Sequence, residues 1–388
     1  MSVFERKRLK LIVKSPIHIG SVEQKITRFD FIHHGQYVYP ISVDRLSVFL
    51  HKKNLITSYV TAVEREGSRF NLADFLRSKG VQIKTEDLEM LSNKRKIRVL
   101  ADISRIQEFR PFIRDGFGVP YIPGTSIKGV IRTALLYNVL KNFKENKRDY
   151  FKREVEERIS NDIETEMKKE PRRRNRREFF KWANEKWLEG FVLRDKSRSP
   201  NTDWLKMLHI SDAYSVGSIE TVLIPANILK RENNEWAYKM ENNVNKTTIW
   251  VECIPENTIY EFDVLWDKKL LEEFKRENRA VHLPESLDGI LGQVRSWAKD
   301  VFEFEKNFST THNLKSWYES SPSNFRIGFG SGMTSTTMII LFDADLRKKI
   351  RNFAGLDRGG EVAPKSRRIW LKNSKPIPFG WALLEELN

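Results

Sequence analysis

Apolar and polar residues alternate most regularly over residues 258–266, where Tyr260, Phe262, Val264 and Trp266 are separated by Glu261, Asp263 and Leu265. A period of two predicts a strand with one buried face. Shorter apolar runs predict further strands at 9–14 continuing to 16–20, 208–213, 221–224 and 248–252. Residues 29–32 and 37–40 flank the turn 33–36 (His-His-Gly-Gln), which predicts a β-hairpin.

A helical period appears at residues 127–135, where Ile127, Val130, Ile131, Ala134 and Leu135 form one apolar stripe. The turn dipeptide at 123–124 precedes it, and Thr125 or Ser126 is expected to cap the helix. Helices are also predicted at 41–50, with Ser42 as the cap, and at 286–304. Residues 54–98 alternate polar helical segments with loops, which is typical of an insertion.

Composition points to a polyanionic partner. The chain has 388 residues and a formal net charge of +16, and 40% of its residues are hydrophobic, enough for a substantial core. A chain this basic is typical of nucleic-acid binding, although basic enzymes also exist. Its single cysteine, Cys253, excludes an internal disulfide and a cysteine-rich zinc site. We expect a reducing, cytoplasmic location with no signal peptide and no membrane span.

A block of positive charge lies at residues 168–177, which hold seven cations and one acid. Arg172, Arg173 and Arg174 are consecutive, and Phe179, Phe180, Trp182 and Trp187 follow. Basic residues beside aromatic ones can bind a phosphate backbone and stack bases. The alternative is a solvated helical insertion whose aromatic residues dock it on the body of the protein.

The start of the helix at residues 122–129 (Ile-Pro-Gly-Thr-Ser-Ile-Lys-Gly) is a candidate phosphate cradle. Free N–H groups at a helix start attract anions, and Lys128 and Arg132 share a neighbouring face. Gly124, Thr125, Ser126 and Gly129 would shape the cradle. It is not a Walker loop, because Lys128 precedes Gly129 rather than following a glycine. The alternative is a capped core helix with two solvated cations.

A second candidate anion site is the glycine-rich stretch 326–332 (Arg-Ile-Gly-Phe-Gly-Ser-Gly). Gly328, Gly330 and Gly332 allow close approach of backbone to a ligand, and successive N–H groups can nest an anion beside Arg326. The spacing is not the dinucleotide fingerprint. The sequence therefore predicts no cofactor.

These two stretches, together with residues 16–20 (Pro-Ile-His-Ile-Gly), resemble the RAMP superfamily of CRISPR proteins. Within it the chain looks most similar to the Csm subunit five family of type III-A effector complexes. That similarity comes from chain length, residues 127–136, residues 209–212 (His-Ile-Ser-Asp) and the closing 378–381 (Pro-Phe-Gly-Trp). The first-helix motif is common to several RAMP families, and the motifs occupy a small fraction of the chain.

The resemblance implies an α+β fold with a ferredoxin-like, RRM-like core carrying large, partly helical insertions. The core would be assembled from segments near 6–40, 121–142, 205–225, 248–267, 285–305 and 325–345. Residues 42–118 would form one insertion and residues 143–200 a charged helical one.

The resemblance also implies a role. The family binds and caps the 3′ end of the CRISPR RNA (crRNA) in the Csm ribonucleoprotein and supports RNA maturation. It packs against the backbone RAMP subunit and is regarded as non-cleaving. The implied partners are crRNA and other Csm subunits; a host ribonuclease is left open as a further partner. The expected RNA-binding residues are Gly124, Thr125, Ser126, Lys128, Gly129, Arg132, Arg172, Arg173, Arg174, Arg326, Gly328, Gly330 and Gly332, with no catalytic residue and no metal ligand.

Catalytic alternatives stay open. RAMP endoribonucleases use histidine as an acid or base on a ribose hydroxyl, for which His18, His33 and His34 are the candidates. The backbone RAMP subunit that cuts target RNA uses an aspartate after its first strand, and Asp30 lies near that place. In that family, however, the helix motif follows closely, whereas here about 90 residues intervene. Asp212 and Asp263 have no carboxylate cluster beside them that would indicate a metal site.

A third alternative is a protein scaffold without direct RNA contact. The chain has ten tryptophans, and aromatic residues are enriched in the cores of protein interfaces.

Overall fold

The computed structural model describes residues 3–387 except 23–24, 103–104, 171–177, 180–202, 233–234, 243, 277–282, 310–313 and 356–361. Within these residues the strands, in chain order, are β1 (Phe4–Val13), β2 (Ile26–Thr27), β3 (Phe31–His34), β4 (Tyr37–Pro40), β5 (Ile97–Val99), β6 (Glu108–Phe109), β7 (Leu208–Ile210), β8 (Tyr214–Ser215), β9 (Val222–Glu232), β10 (Glu235–Tyr238), β11 (Thr248–Cys253), β12 (Ile259–Asp267), β13 (Phe325–Arg326), β14 (Ser366–Lys372), β15 (Lys375–Pro378) and β16 (Trp381–Glu386).

The helices of the same residues follow the chain in twelve segments. They are α1 (Val43–Lys52), α2 (Ile56–Glu66), α3 (Leu72–Ser78), α4 (Thr85–Leu91), α5 (Gly124–Asn146), α6 (Arg148–Phe151), α7 (Arg158–Lys168), α8 (Lys268–Arg276), α9 (Leu287–Phe308), α10 (Leu314–Ser320), α11 (Gly332–Thr336) and α12 (Ala344–Phe353). A π-helical stretch, Lys152–Glu157, joins α6 to α7.

The first sheet has the topology of a ferredoxin-like fold. Its path is β13-β16-β1-β12-β7, every pair is antiparallel, and β8 pairs with β12. In chain order β1, α5, β7, β12, α9 and β16 form a βαββαβ unit. In the sheet its first strand, β1, lies between its fourth strand, β16, and its third strand, β12. The predicted α+β class with this core is confirmed.

The two faces of this sheet differ as the alternation in sequence predicts. Tyr260, Phe262, Val264 and Trp266 of β12 are buried, as are Leu9, Leu11 and Val13 of β1. On the other face the strands are joined by ion pairs such as Arg8–Glu261 at 2.8 Å. Helices α5 and α9 pack against each other, and their apolar residues share one core cluster with those of β1 and β12.

The second sheet runs β15-β14-β9-β5-β4-β3, with β10 and β11 also paired to β9. The predicted hairpin is present as β3 and β4, with Phe31 opposite Pro40. Helices α1 to α4 follow it and enclose a separate cluster around Phe49, Phe70 and Phe75. Helix α1 begins after Ser42 at the predicted position, but the Ser42 side chain makes no cap hydrogen bond.

The last strand of the first sheet was not predicted. Residues 325–345 contribute the two-residue strand β13, whereas the strand beside β1 is β16, which lies in the closing residues of the chain. Trp381 and Ala382 of β16 are fully buried. The division of the chain into one core and two insertions stays a prediction.

Candidate nucleic-acid interface

Residues 16–20 and 326–332 meet at the end of β1; together with residues 122–129 at the start of α5 we call them the three motifs. The amide of Phe329 donates to the carbonyl of His18 at 2.8 Å, which joins the first motif to the third. Helix α11, which begins at Gly332, packs against α5, which contains the second. The sheet register explains the meeting, because the end of β1 and the start of β16 are paired at Val13 and Ala382.

The start of α5 differs from the prediction that Thr125 or Ser126 caps it. The N-cap is Pro123, which has no side-chain cap bond, and the helix begins at Gly124. The Asp212 carboxylate accepts a hydrogen bond from the Gly124 amide at 2.7 Å. The prediction of the cap was therefore wrong, and a carboxylate of the protein already occupies part of the expected anion cradle.

Gly124 is required by the close approach of the segment after β7. A Cβ at this position would collide with the carbonyl oxygens of Ile210 and Ser211. Ile122 and Ala213 form a β-bridge beside it. The glycine in the motif is thus explained by packing of the helix start on the sheet edge.

The two cations of α5 contact the body of the protein. Lys128 donates to the carbonyl of Leu208 at 2.7 Å, and partial burial lowers the pKa of its ammonium group. Arg132 forms an ion pair with Asp203 at 2.8 Å, with both side chains largely covered. Both cations therefore hold α5 to residues 203–208, and an ammonium group keeps further N–H donors for a ligand.

The glycine-rich motif is held from two sides. Gly328, Gly330 and Gly332 all have positive φ, at 79°, 86° and 55°. A Cβ at Gly328 would collide with the carbonyl of His18, and one at Gly330 would lie 2.7 Å from Cβ of Phe379. Only at Gly332 of the three is there open space.

Arg326 supports this loop from inside the protein. Its side chain is 2% exposed and donates to the carbonyl of Gly330 at 2.8 Å and to the hydroxyl of Ser335 at 3.1 Å. It lies 3.4 Å from the buried carboxylate of Glu305, which also pairs with Arg367. The two guanidinium groups lower the pKa of Glu305 against the effect of burial. Arg326 thus positions the loop, rather than lying on its surface.

What the three motifs present to solvent is mostly backbone and small side chains. Thr125, Gly129, Gly328 and Gly332 are exposed, and Ser126 is half-buried. Sequence reasoning missed Arg110, an exposed residue whose guanidinium lies 5.8 Å from the centre of the Phe329 ring. No sequence motif marks Arg110, which forms an isolated β-bridge with Val251.

His18 lies beneath this surface and is 3% exposed. Its Nδ1 lies 2.7 Å from the Glu252 carbonyl, to which it donates, and the Phe112 and Phe329 rings pack edge-on against it. Burial lowers its pKa, and the nearby charge of Arg110 adds to this effect, so the ring is neutral at pH 7. The neutral ring therefore acts as a structural contact between the first motif and β11.

The other candidates lie elsewhere. His33 and His34 are exposed in the hairpin, and the Asp30 carboxylate accepts from the hydroxyl of Thr27 at 3.0 Å, within its own turn. Asp263 pairs with Arg6. Among the described residues no group of three or more His, Cys, Asp or Glu side chains could hold a metal ion.

Two further expectations concern the charged insertion and the membrane. Arg172, Arg173 and Arg174 lie outside the described residues, as do Phe180, Trp182 and Trp187. In the part of the chain that the structure describes, no helix combines the length and apolar composition needed to cross a membrane.

Two curated relatives are similar to this chain over part of its length. Both are CRISPR system Cms protein Csm5. The one from Streptococcus thermophilus is 33% identical over 150 residues, and the one from Enterococcus italicus 30% identical over 149. The matches cover 36% and 33% of this chain. The chain spans about two fifths of the length of these relatives, at 40% and 42%.

Solved structures share the fold over nearly the whole chain. One is a chain in a cryo-EM structure of a Csm-crRNA-target RNA ternary complex of a type III-A CRISPR-Cas system, with a TM-score of 0.69 and 20% identity over 98% of this chain and 100% of that one. Another is the crystal structure of T. onnurineus Csm5, with a TM-score of 0.62 and 20% identity over 96% and 99%. A family model described as the RAMP superfamily matches residues 10–309, and the chain therefore belongs to the RAMP superfamily.

Proposed function

We propose that this chain is a non-catalytic RNA-binding subunit of a type III-A CRISPR (Csm) ribonucleoprotein. It binds and caps the 3′ end of the crRNA, supports crRNA maturation and packs against the backbone RAMP subunit. The observation that carries the proposal is that the first and third motifs join at the end of β1, while the helix that follows the third packs against α5, which the second begins. The likeness to Csm5 proteins and to a chain of a Csm-crRNA-target RNA complex supports the type of assembly.

The chemistry of the surface suits a guide whose sequence varies. Exposed glycines and small polar residues let a phosphate backbone approach closely, and they offer no side chain that reads a base edge. In the proposal, Thr125, Ser126, Gly129, Gly328 and Gly332 face the RNA backbone. Arg110 and Lys128 supply positive charge beside them.

The remaining predicted residues act on the shape of this surface. Gly124 and Arg132 fix the start of α5, while Gly330 and Arg326 fix the glycine-rich loop. Arg172, Arg173 and Arg174 remain proposed as a second RNA contact on the basis of their sequence alone. The proposed location is the cytoplasm, where crRNA complexes act.

The test uses the purified chain, stripped of nucleic acid, with labelled single-stranded RNA at low and at high salt, with and without Mg²⁺. We expect intact RNA and binding that weakens as salt rises, since phosphate contacts release counterions. Specific cleavage that disappears in His18→Ala or Asp30→Ala would overturn the non-catalytic assignment. Absence of binding both by the chain and by its complex with the backbone subunit would favour the scaffold alternative.

A further inference from the structure

A cleft of about 960 Å³ lies away from the three motifs, between the helical insertion and the second sheet. The turn 92–96 that follows α4 and the turn 115–118 both line it. Thr221, just before β9, lines its floor. No residue of the three motifs lines this cleft.

The walls of the cleft carry an excess of positive charge. Lys25, Lys94, Arg95, Lys96 and Arg114 line it together with the carboxylates of Asp30, Asp115 and Glu220, which leaves a net of two positive charges. Arg95 and Arg114 both donate to the buried carboxylate of Glu252, at 2.8 and 2.5 Å. Despite complete burial, these contacts lower the pKa of Glu252 to about 2, so the carboxylate is ionised and offsets one of the two guanidinium charges.

Donors without acceptors cluster on the same walls. Ser92 is 3% exposed, and its hydroxyl has no hydrogen-bond partner among the described residues. The Nε atoms of Arg95 and Arg114 also have none there. Buried donors are rarely left unpaired, because each costs free energy. Ser92 lines the cleft, so a phosphate oxygen bound there would give its hydroxyl an acceptor.

The backbone next to Ser92 forms the turn that ends α4. Asn93 and Lys94 are consecutive residues other than glycine with φ of 52° and 60°. They terminate α4, where left-handed residues are common, and the Lys94 amide donates to the Glu89 carbonyl at 2.7 Å. The turn thereby presents Lys94 and Lys96 on either side of Arg95.

An aromatic ring stands at the mouth of the cleft. Phe117 is 95% exposed at the tip of the turn 115–118 and lines the cleft. Its backbone is nevertheless fixed, because the Asp115 carboxylate accepts from the amides of Phe117 and Val119, both at 2.9 Å. Arg114 ties the turn to Glu252 by donating also to the carbonyl of Gly118 at 2.8 Å. A rigid, exposed ring beside cations is the arrangement that stacks a base of a single strand.

A pair of tyrosines links this mouth to the three motifs. Tyr214, which contacts Asp115, is stacked on Tyr121 with ring centres 5.9 Å apart. Tyr121 directly precedes the motif at 122–129. We propose that the cleft is a second RNA site, in which Lys94, Lys96 and Arg95 bind phosphate and Phe117 stacks on a base of the strand that crosses from the three motifs. This inference rests on the proposed function for the identity of the ligand.

The test measures binding of a labelled single-stranded uridine oligonucleotide to the full chain by fluorescence anisotropy. Phe117→Ala and Phe117→Leu are expected to weaken binding about tenfold, the usual scale for loss of one stacked base, while Phe117→Trp retains it. Lys94→Gln with Lys96→Gln is expected to weaken binding and to reduce its salt dependence. Lys52→Ala with Lys53→Ala removes the same charge from the same insertion, away from the cleft, and serves as the control.

A variant of the three motifs, Gly129→Glu, separates the two proposals. Loss of affinity in both the cleft variants and Gly129→Glu supports both sites. Loss in Gly129→Glu alone overturns the cleft and leaves the proposed function. Loss in the cleft variants alone supports the cleft and overturns the three motifs as the main site. A 4-thiouridine oligonucleotide that crosslinks to residues 115–118 gives independent support, and crosslinks confined to the three motifs count against the cleft.

Discussion

The carbonyl oxygen of His18 accepts a hydrogen bond from the amide of Phe329 at 2.8 Å, and this bond fixes the glycine-rich loop on the end of the first strand segment. Gly328 makes the bond possible. Its φ of 79° turns the chain towards His18, and the absence of a side chain leaves room for the carbonyl. The surface proposed to bind RNA therefore depends on a backbone contact between the two ends of the chain.

Gly328→Ala is expected to destabilise the protein strongly, because the new Cβ both disfavours the positive φ and collides with the His18 carbonyl. We expect a loss of about 3 kcal/mol in the free energy of unfolding. Gly332→Ala is the matched control, since its φ is also positive but its Cβ would meet open space. That variant should lose about 1 kcal/mol. Urea titration of both measures the difference, and equal losses would contradict the role of the His18 contact.

Arg326→Ala is expected to destabilise the fold rather than remove a ligand contact. Its guanidinium is buried beside Glu305, and removal leaves part of that carboxylate's charge uncompensated. Breaking a buried pair costs about 3–5 kcal/mol. Arg6→Ala breaks the exposed pair with Asp263 and should cost less than about 1 kcal/mol. If Arg326→Ala keeps full stability in thermal unfolding and loses RNA affinity, the positioning role is contradicted.

Glu252 is expected to make the stability depend on pH. Its pKa falls from 4.5 to about 2 on folding, so its contribution is complete above pH 4.5 and is lost as the pH falls towards 2. A shift of this size corresponds to roughly 3 kcal/mol. The stability difference between wild type and Glu252→Gln should therefore be largest at neutral pH and shrink on acidification.

Glu108→Gln, which removes an exposed partner of Lys25, is the control for this pH series. Its stability difference from wild type should be small at every pH. A difference between wild type and Glu252→Gln that stays constant down to acidic pH would show that ionisation of this carboxylate is not what holds Arg95 and Arg114.

Arg110→Ala is expected to lower RNA affinity and to flatten its salt dependence. One lost phosphate contact on a single strand reduces the slope of log K against log salt by about 0.7. The measurement is a salt titration of RNA binding by wild type and variant. Arg105→Ala, which removes an exposed arginine that lies before β6 and faces Asp102, is the control, and an equal change in both variants would argue against a specific contact.

The core of the fold follows from local patterns. The stripe of Ile127, Ile131 and Leu135 predicts α5, and the alternation around Phe262 predicts β12, because burial of one face imposes the period. Strand β16 was not predicted, since it lies beside β1 only through pairing between the two ends of the chain.

The candidate site was also hard to predict, because it depends on contacts between residues that lie far apart in the sequence. Asp212 bonds to the amide of Gly124 from 88 residues away, and this contact replaced the expected cap by Thr125 or Ser126. Arg110 reaches Phe329 from a loop that carries no motif. Arg326 is buried beside Glu305. Only tertiary packing brings these two residues together, so the sequence does not show that Arg326 is buried.

Gly129 offers the most direct test of the central claim that the three motifs bind the RNA backbone. It is exposed on α5, and a Cβ there would meet nothing within 4 Å. Gly129→Ala should stabilise the helix by about 1 kcal/mol and is the reference variant, since it adds a side chain at this position without a charge. Gly129→Glu adds a negative charge at the same place without a steric conflict, and we expect it to weaken binding of labelled single-stranded RNA at least about tenfold, most strongly at low salt. Equal affinity of the two variants at low salt would contradict the account.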